Sequence, residues 1–355
     1  MKGTIKKSKI ALIILYIIMF GCEHCFYLID EKAINVAGAF NLSDIFLAIG
    51  LMFFAYVELK YRRVSRIDRK YKILVASITV LIVTSSYQSH VLYGQSILYG
   101  IRPQRFWIVW AFMVFPISKL LYARAISTKD IENLIYRFGY IELLLYSLQF
   151  IWGSGVEILH VNTSGVLLHG LLRYYFDSVL LRLMLFLSIE KIFRKQHILK
   201  NSIIVALDLF VIVIVCQMRM TFIAVAVSIV IGVMLMRRMT IRKILMLAGI
   251  VLVAAFSLNL SVVQETITEA MGFLQGNAAT TSTLKFRAQA SALYMNTLAS
   301  HPLLGGGYIN TLNDVARNAA GIDNNIYLVD NGLLAFVYIY GLIGLAWLVV
   351  LAINL

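Results

Sequence analysis

The sequence predicts an all-α, polytopic integral membrane protein, and three observations carry that expectation. Hydrophobic residues make up 60% of the 355 and charged residues only 14%, where soluble domains run nearer half apolar and a quarter charged. The mean hydropathy is +0.82. The apolar residues gather in long runs, as helices crossing a bilayer core of roughly 30 Å require. Only 3 prolines occur, which suits long helices because an interior proline removes a hydrogen bond and clashes with the preceding turn.

Taken in order, the runs predict about ten spans: 9–24, 43–59, 73–90, 105–123, 138–153, 175–190, 201–217, 220–236, 243–260 and 332–352. The first follows Lys6, Lys7 and Lys9 and has no small-residue cleavage site, so it is expected to be a retained span. Cys22-Glu23-His24-Cys25 at its end supplies at most three soft ligands and reads as packing at a helix end. With Cys216 the chain has 3 cysteines, too few for a disulfide framework. The expected organisation is one transmembrane domain, 1–355, with a single large polar loop at 261–331.

Basic residues set the expected orientation. Of the 32 Lys and Arg, 23 lie in Lys2–Lys9, Lys60–Lys72, Lys119–Arg137, Lys191–Lys200 and Arg237–Lys243, all on one side if the N-terminus is cytoplasmic; the other 9 fall opposite. Cytoplasmic loops collect Lys and Arg. The net charge of +14 is therefore a topological signal rather than a nucleic-acid surface, and the 261–331 loop is expected outside.

Several chemistries are excluded. Gly305-Gly306-Gly307 lacks the Lys-Ser/Thr of a phosphate loop and reads as a flexible turn after a helix stop at His301-Pro302. No His, Asp and Glu set has metal-ligand spacing, and no Gly-x-Ser-x-Gly occurs. What remains are outward-facing arginines. Arg219 sits between two apolar runs with almost no loop, either snorkelling to the interface or facing an anion inside the bundle. Arg287 falls near the start of a helix predicted over 283–299, capped by Thr281 or Ser282. A cation there opposes the helix dipole unless a bound anion uses both. Arg102, Arg105 and Arg173 add a locally arginine-rich outer face, as interface anchors or as bidentate phosphate ligands. Asp330 heads the last span, as an N-cap or as a general base on a hydroxyl. His301 reads first as structural. Glu142 and Asp208 lie within spans and are functional candidates for that reason.

Three pieces of sequence resemble the O-antigen polymerase and ligase superfamily. Arg219 with Thr221 is similar to the family's arginine at the outer start of a central span. Arg287, followed by His301-Pro302-Leu303-Leu304-Gly305-Gly306-Gly307, resembles its Arg…His-Pro-Leu-x-Gly-x-Gly segment. Asp330-Asn331-Gly332-Leu333-Leu334 through Gly341-Leu342-Ile343-Gly344 resembles its His-Asn-x-x-Leu…Gly-Leu-x-Gly segment. The likeness covers roughly residues 201–352. Ligases of the family carry His where this chain has Asp330, which leans toward a repeat-unit polymerase.

The resemblance implies a GT-C-like multi-pass protein of the bacterial cytoplasmic membrane, with its active face extracytoplasmic. It implies metal- and cofactor-independent, inverting transfer between undecaprenyl-diphosphate-linked oligosaccharides. A chain-length regulator and a flippase would be partners, and no nucleic acid. Arg219, Arg287 and Asp330 would be catalytic, with Arg105, Arg173 and His301 binding substrate. Alternatives of other classes are a lipid-linked-sugar transporter and a membrane scaffold or sensor.

Overall fold

A computed structural model describes residues 8–30, 42–62, 64, 69–153, 156–161, 163, 172, 174–176, 179–216, 227, 282–324, 328 and 332–354. These residues are overwhelmingly helical, and their sole extended pairing is an isolated bridge between Thr163 and Tyr174. Three apolar helical stretches among them are long enough to cross a membrane: Lys72–Tyr93, Ile97–Tyr122 and Gly332–Ile353. They coincide with three of the predicted spans. The predicted spans 220–236 and 243–260, and most of the loop 261–331 before residue 282, lie outside the described residues.

The chain forms two compact units, 1–49 with 124–267 and 50–123 with 268–355. The first contains α1 (Lys9–Cys22), α6 (Thr128–Trp152), α7 (Val179–Phe193) and α8 (Ile198–Phe210), the last continuing as a π-helical turn over Val211–Val215. Helix α6 begins at a capping box in which Ser127 and Asp130 satisfy each other's backbone N–H, worth about 1 kcal/mol against an alanine cap. Gly139 lets α6 approach Met184 of α7, whose sulfur lies 2.7 Å from where a β-carbon would stand. The core of this unit is aromatic. Tyr146 stacks on Phe176 at 3.9 Å and Phe176 on Tyr174 at 5.7 Å.

Helix α1 ends in a turn of the opposite hand. His24, Cys25, Phe26 and Tyr27 all have φ between 48° and 57°, a conformation that costs non-glycine residues about 1–2 kcal/mol each. Phe26 is buried and packs on Phe20 and Phe138, and the Tyr27 carbonyl accepts from His160 N at 2.8 Å. Packing of these side chains offsets the strain. The described residues contain no group of His, Cys, Asp and Glu that could hold a metal.

The second unit contains the later part of α2 (Leu42–Lys60), then α3 (Arg69–Tyr93), α4 (Ile97–Phe112), α5 (Val114–Tyr122), α9 (Ser282–Ser300), the short α10 (Asp314–Ala319) and α11 (Gly332–Asn354). Helix α3 packs on α4 and α11, and α11 packs on α9. Trp347 of α11 donates to Ser77 Oγ at 2.7 Å, which fixes α11 against α3. Lys119 pairs with Glu58.

Helix α4 differs from expectation. The sequence puts Arg102 and Arg105 on the outer face at the start of a span over 105–123, but the helix starts at Ile97 and runs through Pro103. A proline there leaves the Tyr99 carbonyl without its helical donor. Asn310 Nδ2 takes that place, donating to Tyr99 O at 2.8 Å. A partner distant in sequence thus makes the interior proline tolerable.

Candidate functional site

The second unit packs a non-helical strip of backbone, residues 301–310, between helices, with 305–307 and 309 buried. Backbone inside an apolar bundle must find hydrogen-bond partners there, and this strip finds them by exchange with α11. Helix α11 is interrupted at Gly341, with φ 64° and ψ −164°. The Leu342 N–H, which would have bonded Tyr338 O, donates instead to Pro302 O at 2.9 Å, and Tyr338 O accepts from Gly306 N at 2.7 Å. Ile343 N follows with Leu303 O at 3.3 Å. Loop and helix swap partners one for one.

The other side of the strip is held by α3 and the turn after it. Gln88 Nε2 donates to Gly305 O at 3.2 Å, and Ser89 Oγ to Tyr308 O at 2.7 Å. Tyr308 N donates to Ser85 O at 3.2 Å. Gln95 acts as a clamp, with its Nε2 on Tyr308 O at 2.9 Å and its Oε1 accepting from Asn310 N at 2.8 Å. Behind them Gln104 of α4 donates to Gly100 O at 2.9 Å and accepts from Tyr340 OH at 2.5 Å. Among these described residues no buried polar side-chain atom is left without a partner. Burial holds the Tyr308 phenol above its ordinary range.

This packing revises the reading of Gly305-Gly306-Gly307. The helix does stop at Ser300 and 302–306 do form a turn, but its glycines are tightly packed contact points rather than flexible ones. A β-carbon on Gly306 would stand 2.5 Å from the Tyr338 ring, and one on Gly307 2.6 Å from Ser89 N. Gly305 and Gly307 also have positive φ, 66° and 76°, which glycine alone adopts without cost.

Near its end α9 borders two hollows, on different faces of the helix. One, of about 320 Å³, is lined by Leu92, Tyr93, Leu293, Asn296, Thr297, Ser300 and His301. It is the more polar of the two, with Asn296, Thr297, Ser300 and His301 beside Leu92 and Leu293, and Tyr93 OH at its wall meets Tyr338 OH at 3.1 Å. The other, of about 490 Å³, is apolar and lies between α9 and α11, with Met295, Leu298, Pro302, Leu333 and Val337 in its walls. His301 and the adjacent Pro302 thus face a polar and an apolar hollow respectively.

Of the predicted site residues, His301 lines the polar hollow. Arg105 does not. Its guanidinium donates to the Arg102 carbonyl and lies 4.6 Å over the Phe106 ring. Arg287 lies on α9 as expected, although its side chain is outside the described residues. Fourteen residues of helix at 1.5 Å each put it about 20 Å along the axis from His301, too far for both to grip one phosphate. Arg173, Arg219 and Asp330 lie outside the described residues. The sequence reading missed Ser85, Gln88, Ser89, Gln95 and Gln104. Their signal is the polar run Ser85-Ser86-Tyr87-Gln88-Ser89-His90 inside an otherwise apolar span.

The first unit holds a different polar feature. Glu142 on α6 and Asp208 on α8 are both fully buried, and among the described residues neither carboxylate has a well-formed hydrogen bond. Glu142 lies near the Glu23 carboxyl and within electrostatic reach of Asp208.

Comparison with protein-family models, with curated protein sequences and with solved structures gave no match to this chain.

Proposed function

We propose that the protein is a glycosyltransferase of the bacterial cytoplasmic membrane. It polymerises polyprenyl-diphosphate-linked oligosaccharide units at the outer face. In this reading a hydroxyl of one lipid-linked unit attacks the anomeric carbon of another. The bond to the diphosphate breaks with its electron pair, the configuration inverts, and the hydroxyl proton passes to a carboxylate or imidazole. Arg219 and Arg287 stabilise the departing diphosphate, since fixed cations aimed at developing charge lower such a barrier. Asp330 is the first candidate base.

The observation that supports this reading best is the order of the three resembling segments, ending in the helix α11 that breaks at Gly341. The hollows at the end of α9 border His301 and Pro302, in the second of those segments.

The test is incubation of the purified full-length protein with a synthetic undecaprenyl-diphosphate oligosaccharide. A ladder of lengthening products is expected, and Arg219→Ala, Arg287→Ala and His301→Ala should each shorten or abolish it while the protein still folds. Transfer of a single glycan to another acceptor, without a ladder, would favour the ligase alternative. One observation favours a transporter instead: the buried carboxylates Glu142 and Asp208, because ionisable groups inside a membrane bundle mark ion and proton paths. Uptake of the lipid-linked sugar into proteoliposomes, with no ladder, would decide for that reading.

A further inference from the structure

We infer that the first unit carries a binding site for the anionic headgroup and one acyl chain of a glycerophospholipid, at the basic end of α6, α7 and α8. Two hollows meet there. The first, of about 300 Å³, is lined by Asn133, Tyr136, Arg137, Lys191, His197 and Lys200, with Tyr140 and Asn201 completing it. The second, of about 470 Å³, shares Tyr140 and Lys200 with the first and is otherwise apolar: Leu143, Leu199, Ile203, Ile204 and Leu207. From Lys200 to Leu207 the groove follows α8 for about 10 Å. A charged pocket opening into an apolar groove has the shape of a headgroup followed by the start of an acyl chain.

The charges favour an anion. Arg137, Lys191 and Lys200 face the pocket, and the acidic group beside them is Glu132, which pairs with Lys191. Among the described residues Arg137 and Lys200 have no carboxylate partner. Arg137 is held in place by a 3.1 Å bond to Tyr16 OH, and Lys191 lies 4.2 Å over the Tyr136 ring. Asn201 has its amide committed to the Gln196 and His197 carbonyls at 2.8 and 3.2 Å, which fixes the start of α8 as one wall. The groove is open to the surroundings: Leu199 is 76% exposed and Ile203 52%. Exposed apolar side chains continuous with a pocket mark an interaction surface, and basic pockets between helices at the membrane boundary suit anionic lipid headgroups. On the orientation read from the sequence, the lipid would come from the cytoplasmic leaflet. The inference is independent of the chemistry proposed for the second unit.

The experiment titrates the purified full-length chain in a neutral maltoside detergent with phosphatidylglycerol or phosphatidylcholine and counts bound lipids by native mass spectrometry. Phosphatidylglycerol should be retained where phosphatidylcholine is not. Arg137→Ala with Lys200→Ala should weaken its retention by about tenfold or more. Lys200→Gln alone, on the exposed first turn of α8, should weaken it several-fold and serves if the double variant does not accumulate. Ile203→Trp, which fills the groove and leaves the cations, should also weaken it. Lys195→Gln removes a neighbouring charge that does not line the pocket and should change nothing. Equal retention of the two lipids, or equal loss in Lys195→Gln, would overturn the site. Displacement of the lipid by excess inorganic phosphate, with Ile203→Trp silent, would mean a free-anion site and overturn the lipid assignment.

Discussion

The two units bury polar groups in opposite ways. In the second, Gln88, Ser89, Gln95 and Gln104 lie among apolar helices with no buried side-chain polar atom left unpaired. In the first, Asp208 is as deeply buried and among the described residues neither of its carboxylate oxygens has a well-formed hydrogen bond, while Glu142 lies against the buried Glu23 carboxyl. A buried polar group costs little when paired and several times more when orphaned. The satisfied network therefore specifies a structure: it fixes where 301–310 runs and where α11 breaks. Asp208 cannot be retained for stability, because an apolar residue of similar size would serve it better. One region is architecture, and the other is held against the stability gradient.

The comparison breaks first at the glycines. Gly307→Val puts a branched side chain at φ 76° against Ser89, where strain and overpacking together should cost about 3 kcal/mol or more. Loss of the folded species on thermal unfolding in detergent is expected. Unchanged unfolding would mean that 301–310 is not wedged between α3 and α11 as described.

Next comes Gln95→Leu. It leaves the Asn310 N–H and one acceptor site on Tyr308 O unpaired, a cost of about 2 kcal/mol. Asp208→Leu sharpens the contrast because the sign should reverse. Removing a buried carboxylate with no hydrogen bond is expected to raise stability by about 1 kcal/mol or more. Comparing the unfolding midpoints of the Gln95 and Asp208 variants checks both at once. Two losses would show that Asp208 has a partner serving stability after all.

Much of this architecture is legible in the sequence, and its failures are instructive. The apolar runs locate α3 and α11, and His301-Pro302 correctly ends α9. The sequence puts the start of α4 at 105 rather than at Ile97, and the group that makes Pro103 tolerable inside it, Asn310, is distant in sequence. The turn at the glycine triplet is read correctly, but as flexible, because local pattern carries no information about Tyr338 and Ser89 pressing against it. For the candidate site, His301 could be named in advance and the clamp Gln95 could not. A glutamine after a helix end is ordinary until the strip it holds is known. The separation of Arg287 from His301 follows from helix geometry alone, and the sequence reading had both the helix and the spacing in hand.

The smallest expected effect tests whether architecture and site can be separated within the second unit. Tyr93 lines the polar hollow and shares one hydroxyl contact with Tyr338. Tyr93→Phe keeps the ring and removes only that contact, so its cost should be about 0.5–1 kcal/mol, near the limit of a thermal measurement. If the hollow receives a glycan, the lost hydroxyl is one its hydroxyls would meet, and product length should fall by far more than so small a stability change explains. If the hollow is only a gap between α3 and α9, product length and unfolding should be equally indifferent. A variant that leaves the fold intact and shortens the product would therefore separate recognition from scaffolding at a single oxygen atom.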